Sequence, residues 1–265
     1  MAVDFQLKGQ AAVITGSTSG VGQAFALTLA RQGVDVVLNG LGDPAAIEAD
    51  RKAMADETGV RVLYHPADMT KPAEIADLIG YAHRELGRLD ILINNAGIQH
   101  VAPVDEFPDA KWDAIIAINL SAAFHATKHA VPIMKAQGRG RIVNLASVHG
   151  LVASPFKSAY AAAKHGLVGF TKACALELAR TGITVNAICP GYLRTPLVEA
   201  QIADQARTRG IPEDRVIEEV ILTAHPNRAF VEYDHLGGLL LYMVSDQGAS
   251  TNGAALPVDG GWTAA

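Results

Sequence analysis

The sequence has few cysteines, few aromatic residues and little charge. Of its 265 residues, 6% are aromatic, 18% are charged and two are cysteines, Cys174 and Cys189. Two cysteines without a partner pattern are too few for a disulfide scaffold or a cysteine-rich metal site, and they are typical of a reducing compartment. Both lie in apolar stretches, so we expect them to pack as small core side chains.

A basic excess and a long apolar run are also missing. Lys and Arg total 22 against 27 Asp and Glu, which gives a net charge of −5. This balance argues against an electrostatic surface for nucleic acid or anionic membranes. Gly, Asn or Asp interrupts each apolar run well before the roughly 20 residues that a membrane-spanning helix needs. The amino terminus has no basic region followed by a hydrophobic stretch, so we expect a cytoplasmic protein with no membrane or nucleic-acid partner.

Short β-branched runs alternate with longer helical stretches along the whole chain. Most of the runs are apolar throughout, which is typical of parallel strands covered on both faces. The alternation indicates an α/β fold, doubly wound, with a seven-stranded parallel Rossmann-like sheet and helices on both faces, in one domain over residues 1–265. The predicted strands are 11–16, 34–39, 60–65, 89–95, 140–146, 183–189 and 254–259, and the predicted helices are 19–31, 44–58, 71–86, 112–135, 158–180 and 233–245.

Residues 193–228 interrupt this alternation. The segment carries three prolines and several charges, and so long an insertion in a compact domain is usually functional. We expect it to form a lid-like loop over a substrate.

A glycine-rich turn follows the first predicted strand, with the sequence TGSTSGVG over residues 15–22. Gly16 can form the tight turn, Gly20 lets the backbone approach a pyrophosphate, and Gly22 lets the next helix pack against the sheet. The positive end of that helix and its free N–H groups favour an anion. Glycines alone are compatible with an ordinary turn, but their position after the first strand of an alternating chain predicts dinucleotide binding.

The end of the second predicted strand bears on the choice between NAD and NADP. The 2′-phosphate of NADP usually requires an Arg, whereas an Asp often binds the ribose hydroxyls of NAD. Residues 39–43 are NGLGD and offer no cation, and Asp43 would repel a phosphate. We therefore predict NAD, although no acid stands at the Gly40 position and Leu41 can make only apolar contact.

Tyr160 and Lys164 lie four residues apart in SAYAAAKHG and would project from one face of a helix. A free phenol has a pKa near 10, too high for efficient proton transfer at neutral pH, and a nearby ammonium favours the phenolate. We expect Lys164 to lower the pKa of Tyr160 so that the phenol acts as general acid and base. On spacing alone, a surface helix with unrelated Tyr and Lys side chains is the simpler interpretation.

Two polar residues strengthen the catalytic interpretation. Ser147 ends the strand predicted over 140–146, and ligands bind at the strand ends of open α/β sheets, where its hydroxyl could hold a substrate oxygen. Asn119 lies inside the helix predicted over 112–135, although Asn is a poor residue for a helix interior.

The Gly-x-x-x-Gly-x-Gly turn, NNAG over residues 94–97 and Tyr-x-x-x-Lys follow one another at the expected strand ends. This combination resembles the short-chain dehydrogenase/reductase family over essentially the whole chain. The resemblance implies a catalytic tetrad of Asn119, Ser147, Tyr160 and Lys164, in which the Asn supports a bent helix and a water relay to the Lys. It also implies cofactor contacts from Thr15, Gly16, Ser17, Thr18, Gly20, Val21, Gly22, Leu41, Asp68, Asn95, Ala96, Gly97, Tyr160, Lys164, Pro190, Gly191 and Thr195.

Segments such as INNAGIQH, ASVHGLVAS and NAICPG are similar to those of bacterial D-3-hydroxybutyrate dehydrogenases. That resemblance implies NAD-dependent interconversion of D-3-hydroxybutyrate and acetoacetate by a homotetramer. A cation, a switchable imidazole and amides would form a good receptor for a small carboxylate, although cleft rims are often polar without binding one. The residues implied for the carboxylate are Gln99, His149, Lys157 and Gln201, and those implied for the rest of the substrate are Ser147, Tyr160 and Tyr192.

Tyr192 departs from those enzymes, which typically have Trp at this place. A tyrosine keeps an aromatic wall but is smaller and adds a hydroxyl, so chain-length preference stays open.

Other interpretations are compatible with the sequence. The same chemistry could act on another hydroxy acid, a secondary alcohol, a sugar or a 3-oxoacyl thioester, although a thioester reductase would be expected to prefer NADP. A dinucleotide-sensing binding protein is a further alternative, against which the complete tetrad argues. His125 and His129 have a spacing that can bind zinc, but no third ligand is evident, so we predict no metal site. We expect Trp262 to be a core or interface anchor.

Overall fold

Seven parallel strands form one sheet in the computed structural model, which describes residues 4–199 and 201–264. The strand order is β3-β2-β1-β4-β5-β6-β7, and every neighbouring pair is parallel. This confirms the predicted doubly wound α/β fold. The strands are β1 (Ala11–Ile14), β2 (Asp35–Asn39), β3 (Val62–His65), β4 (Ile91–Asn94), β5 (Gly140–Leu145), β6 (Ile183–Pro190) and β7 (Ala255–Val258).

Helices connect the strands and cover both faces of the sheet. In the part of the chain that the structure describes they are α1 (Gly20–Ala30), α2 (Pro44–Thr58), α3 (Pro72–Leu86), α4 (Asp109–Ile116), α5 (Ala122–Gln137), α6 (Ser158–Leu178), α7 (Pro196–Glu199), α8 (Ile202–Arg209), α9 (Glu213–Val216) and α10 (Tyr233–Val244).

The core consists of two main layers, one on each face of the sheet. On one face Phe25 of α1 and Leu240 of α10 pack against the strands, and on the other face Leu78 of α3 and Met134 of α5 do so. Strands β1, β4, β5 and β6 are buried along their full length. The mostly apolar sequences of β1 and β4 follow from this two-sided burial.

The strand order reverses at β1, which lies between β2 and β4. In an open parallel sheet, the connections from neighbouring strands diverge at such a point and leave a crevice at the carboxyl ends. The glycine turn follows β1, and residues 95–97 follow β4. The topology therefore brings these two sequence motifs to the same crevice.

The helix predicted over 112–135 is longer and less regular than expected. It begins at Asp109, directly after Pro108, and it ends at Gln137 before Gly138, which has a φ of 71°. Between α4 and α5, Ala117–Ser121 forms a π-helical turn. Such turns leave irregular hydrogen bonding inside a helix and often mark functional sites, and this one contains Asn119.

Residues 193–228 are mainly helical, in contrast to the predicted loop. Helices α7, α8 and α9 are followed by a π-helical turn, Ile217–Ile221. Val198, Ala206, Val216 and Ile221 form a small apolar cluster of their own together with Tyr192. Because this cluster gives the segment its own core, helices can form where the prolines and charges indicated a loop. Its role as a lid stays a prediction.

Candidate active site

A cavity of about 410 Å³ lies at the crevice and extends to the segment 193–228. It brings together most of the residues that the sequence predicted for cofactor and substrate. Those that line it are Gly16, Thr18, Gly20, Val21, Leu41, Asp68, Asn95, Ala96, Gly97, Gln99, Ser147, His149, Lys157, Tyr160, Lys164, Pro190, Gly191, Tyr192, Thr195 and Gln201.

Four predicted site residues lie behind the cavity wall instead: Thr15, Ser17, Gly22 and Asn119. The Thr15 hydroxyl accepts hydrogen bonds from the backbone N–H groups of Asn95 and Ala96, at 3.0 and 3.1 Å. The Ser17 hydroxyl donates to the carbonyl of Ile14 at 2.7 Å. Both side chains are therefore used to join the glycine turn to its own sheet. Their predicted contact with the cofactor stays a prediction.

The glycine turn has the shape that a pyrophosphate requires. Gly16 and Gly20 adopt positive φ angles of 62° and 57°. A Cβ on Gly16 would lie 2.7 Å from Cα of Ala96, and a Cβ on Gly22 would overlap the Gly16 carbonyl oxygen. Helix α1 starts at this turn with no acidic residue in its first turn. The N–H groups and positive dipole end of α1 thus face a cradle that side chains would fill.

Asn39 is a structural residue of the site that the sequence prediction missed. Its side-chain oxygen accepts from the Gly16 N–H at 3.2 Å, and its amide donates to the carbonyls of His65 and Ala67 at 3.1 and 2.9 Å. It therefore fixes the glycine turn to β2 and to the end of β3. The sequence feature that could have indicated this role is an Asn at the end of a strand whose preceding residues are apolar.

The cavity offers no cation at the end of β2, among the residues that the structure describes. Leu41 is 66% exposed and lines the wall, and a Cβ on Gly40 would overlap the Thr18 hydroxyl. Asp43 does not line the wall, because its carboxylate caps helix α2 by accepting from Ala45 N–H at 3.1 Å. The expected repulsion of a phosphate by Asp43 stays a prediction, and no basic side chain of the described residues lines the wall at the end of β2.

Tyr160, Lys164 and Ser147 meet at the middle of the cavity. Tyr160 and Lys164 lie on one face of α6, with the ammonium 5.6 Å from the centre of the phenol ring. The Lys164 ammonium donates to the carbonyl of Leu145, the last residue of β5, at 2.7 Å. Ser147 follows β5 by two residues and caps a short turn, accepting from His149 N–H at 3.2 Å.

Burial dominates the protonation of this group. Burial raises the pKa of Tyr160 to about 12, against a smaller opposing effect of a hydrogen bond with Ser147. Burial also lowers the pKa of Lys164 to about 8. Desolvation dominates in the chain itself and the ammonium is directed at Leu145, so the lowering of the phenol pKa by Lys164 stays a prediction. Any activation of the phenol therefore needs a further positive charge in the cavity.

Asn119 connects the π-helical turn to the loop after β4. Its side-chain oxygen accepts from the Ile98 N–H and its amide donates to the Ile98 carbonyl, both at 2.9 Å. The helix implied by the sequence resemblance is irregular at this position, where the π-helical turn lies. Both polar atoms of the Asn119 side chain are bonded to the backbone. Asn119 thus positions the segment that carries Gln99.

Polar residues surround the far end of the cavity. Lys157 is only 2% exposed, and its ammonium donates to the Tyr192 hydroxyl at 2.8 Å. The amide nitrogen of Gln99 is buried without a partner, whereas that of Gln201 donates to the Leu197 carbonyl at 2.8 Å. Burial, with a smaller effect of the Lys157 charge, lowers the pKa of His149 to about 3. Burial thus favours the neutral imidazole of His149, and its role as a switchable group stays a prediction.

Trp262 is part of the cavity wall and packs against the apolar cluster around Tyr192, while its role as an interface anchor stays a prediction. Its ring stacks on Tyr192, with the ring centres 5.4 Å apart and the planes at 25°, and it meets His149 edge-on at 5.3 Å. The glycines of VDGGW, with φ angles of 62° and 94°, let the chain turn back over the site. Trp262 does not belong to a periodic helix or strand pattern, so this contact could not be predicted from the sequence.

Comparison with known proteins identifies the family. A model described as short chain dehydrogenase matches residues 10–206. D-beta-hydroxybutyrate dehydrogenases of Rhizobium meliloti and Cupriavidus necator are 55% and 52% identical to this chain, with 96% and 97% of the chain and 98% and 99% of each relative covered. The chain belongs to the short-chain dehydrogenase/reductase family. It is an oxidoreductase, and the family binds a nicotinamide cofactor.

The solved structures agree with this assignment. A variant of actinorhodin polyketide ketoreductase, determined with NADPH, has a TM-score of 0.90 and 32% identity, and 99% of both chains is covered. As a short-chain dehydrogenase/reductase, the chain places the glycine turn and the Tyr160–Lys164 pair at the same crevice.

Two further features are absent from the described part of the chain. No helix there is long and apolar enough to cross a membrane. No group of three or more His, Cys, Asp or Glu side chains there is arranged to hold a metal ion. His125 instead lies against Phe124, with ring centres 5.0 Å apart. The absence of a metal in the catalytic cycle stays a prediction.

Proposed function

We propose that the chain catalyses the reversible, NAD-dependent oxidation of D-3-hydroxybutyrate to acetoacetate. The observation that carries the proposal is the buried Lys157 ammonium, which lines the cavity and has no ion-pair partner among residues 4–199 and 201–264. A buried cation without a counter-ion is costly, and a substrate carboxylate would supply the missing charge. The two relatives above 50% identity carry the name of this same activity.

NAD is the cofactor that the cavity fits best. The glycine turn would hold the pyrophosphate, and Leu41 and Asp68 lie where the adenosine half would extend. In the described residues, Lys157 and Lys164 are the only Lys or Arg side chains that line the wall, and Lys164 is paired with Leu145 far from the end of β2. A 2′-phosphate would therefore meet no cation there. When bound, the oxidised nicotinamide supplies the hydride acceptor and a positive charge.

The reacting centre consists of Ser147 and Tyr160. In the oxidative direction the Ser147 hydroxyl holds the C3 oxygen, and Oη of Tyr160 takes the proton of the C3 hydroxyl as a phenolate. The hydride leaves C3, which becomes the ketone carbon of acetoacetate. Lys164 holds its proton close to the phenol ring and, together with the charge of the cofactor, offsets the desolvation that raises the pKa of Tyr160 to about 12.

The other end of the substrate meets Lys157, with Gln99, His149 and Gln201 around it. The unpartnered amide nitrogen of Gln99 is one free donor for a carboxylate oxygen. A charge-assisted bond from Lys157 would be the strongest single contact. These assignments give a role to Lys157, Gln99 and Gln201, whose side chains line this end of the cavity.

The direct test is an assay of purified protein with D-3-hydroxybutyrate, in which reduced nicotinamide is followed by absorbance. We expect turnover with NAD, little with NADP and little with the L enantiomer. No turnover of the D enantiomer at millimolar concentration with either cofactor would overturn the proposal.

A neutral substrate is the alternative, since the polyketide ketoreductase shares the fold at a TM-score of 0.90. Lys157→Ala separates the two. A carboxylate substrate should show a rise in KM of about tenfold or more, because a charged hydrogen bond contributes roughly 1.5–3 kcal/mol. The KM of a neutral secondary alcohol should change little.

A further inference from the structure

Lys157 is held by an uncharged oxygen. It precedes α6 directly and follows Phe156, whose φ is 68°. Its ammonium donates to the Tyr192 hydroxyl at 2.8 Å and lies 4.9 Å from the centre of the same ring. Of its three N–H donors, this bond uses one, so two remain for a ligand in the cavity.

Tyr192 is itself fixed from several sides. Its backbone N–H donates to Nε2 of His225 at 2.9 Å, and its carbonyl accepts from Val231 N–H at 2.9 Å. Its ring stacks on Trp262, at 5.4 Å, and on His225, at 5.9 Å, with both pairs of planes at 25°, and the ring centres of Trp262 and His225 lie 5.6 Å apart, so the three rings form one cluster. The hydroxyl is therefore presented to Lys157 from a position that rotation of the side chain cannot easily change.

The charged surroundings of Lys157 make this one acceptor important. Burial, with a smaller effect of the Arg209 charge on α8, lowers the pKa of Lys157 to about 7. His149 also faces Lys157 and is neutral. Among the described groups around the ammonium, the oxygen and the ring face of Tyr192 favour its charged form, and the oxygen is the one that accepts a hydrogen bond. A lysine has a flexible four-carbon stem, so the same contact also restricts where the charge lies.

We propose that Tyr192 is a positioning residue whose hydroxyl directs the Lys157 ammonium at the substrate carboxylate and thereby sets the affinity for 3-hydroxy acids. The proposal rests on the proposed function for the identity of the substrate. It assigns a purpose to the hydroxyl of Tyr192, which the aromatic stack alone does not need.

The test removes only that hydroxyl. In Tyr192→Phe the stack is kept, so we expect KM for D-3-hydroxybutyrate to rise about tenfold while kcat stays within about threefold. If the hydroxyl acts through the ammonium, the same change in a Lys157→Met background should alter KM less than about twofold. Tyr242→Phe removes an exposed hydroxyl that bonds Thr251 at 2.7 Å and serves as the matched control, with KM unchanged.

A pH profile distinguishes positioning from general loss of structure. Without its acceptor, the buried ammonium should lose its proton at lower pH, so KM of Tyr192→Phe should begin to rise at lower pH than KM of the wild type. A destabilised fold would instead lower kcat at all pH values, and thermal unfolding of each variant measures that directly.

The outcomes separate this inference from the proposed function. An unchanged KM in Tyr192→Phe, or an equal rise in the Lys157→Met background, overturns the inference while D-3-hydroxybutyrate turnover still stands. If the wild type does not turn over D-3-hydroxybutyrate, the proposed function fails. Calorimetric titration with butyrate in the presence of NAD then tests the pair by itself: weaker binding to Tyr192→Phe than to Tyr242→Phe supports the inference, and equal binding overturns it.

Discussion

The Lys164 ammonium lies 5.6 Å from the centre of the Tyr160 ring and donates its hydrogen bond to the Leu145 carbonyl, not to the phenol oxygen. The pair therefore shares a helix face without a direct bond. Lys164 is buried, and the cavity wall around both groups disfavours charge on either of them. Their function depends on the balance between this desolvation and the charges that enter the cavity.

Tyr160→Phe tests the role of the phenol. The substitution removes the proton acceptor and keeps the ring, so kcat should fall by about a thousandfold or more, since general acid–base catalysis contributes roughly 10²–10⁴. Binding of the reduced cofactor, followed by its fluorescence, should stay within about threefold. A variant that keeps kcat within about tenfold of the wild type would contradict the mechanism.

Gly40→Asp tests why no acid stands at the end of β2. An Asp there could bond ribose hydroxyls, yet its Cβ would overlap the Thr18 hydroxyl, so we expect weaker NAD binding, by about tenfold, despite the favourable side chain. Thr18→Ala removes the overlapping atoms and leaves Cβ of Thr18 at 3.1 Å from the new Cβ. Adding Thr18→Ala to Gly40→Asp should therefore restore part of the affinity, measured by calorimetry. Tighter NAD binding by Gly40→Asp alone would be the opposite of this expectation.

The sequence was sufficient for the doubly wound parallel sheet and for the crevice. Apolar runs such as AAVI and ILIN become strands buried on both faces, and their strict alternation with helices leaves few topologies. Motifs that follow β1, β4 and β5 meet because the carboxyl ends of parallel strands share one edge. For this reason the middle of the site could be predicted from linear motifs.

The remaining features depend on contacts between distant residues. Trp262 reaches the cavity only because the chain turns back after β7. Asn39, at the end of β2, accepts a hydrogen bond from Gly16, which follows the neighbouring strand β1. Residues 193–228 form helices because their apolar side chains find a core with Tyr192. The pKa of Tyr160 depends on how completely the wall excludes water. Local sequence patterns do not determine these long-range contacts or the degree of burial.

Asn119→Leu tests whether the π-helical turn is held by the two bonds to Ile98. The substitution leaves a backbone donor and a backbone acceptor without partners, so the free energy of unfolding should fall by about 1–3 kcal/mol. Denaturant unfolding measures this loss. Lys128→Ala, at an exposed position of α5, is the control and should change stability by less than about 0.5 kcal/mol. Equal stability of the two variants would show that the turn does not need Asn119.

Lys157→Arg tests the pH dependence of carboxylate recognition. Burial lowers the pKa of Lys157 from its ordinary value of 10.5 to about 7, so raising the pH above neutrality removes the proton that a carboxylate needs. KM for D-3-hydroxybutyrate should therefore rise with pH above about 7, by up to about tenfold per pH unit in the free enzyme. An Arg stays charged throughout this range, so its KM should have a flat alkaline profile whatever its absolute value. A neutral secondary alcohol should give a flat KM with both proteins. A wild-type KM for D-3-hydroxybutyrate that stays constant up to about two pH units above neutrality would contradict this expectation. It would show that Lys157 keeps its proton in this range and does not limit binding.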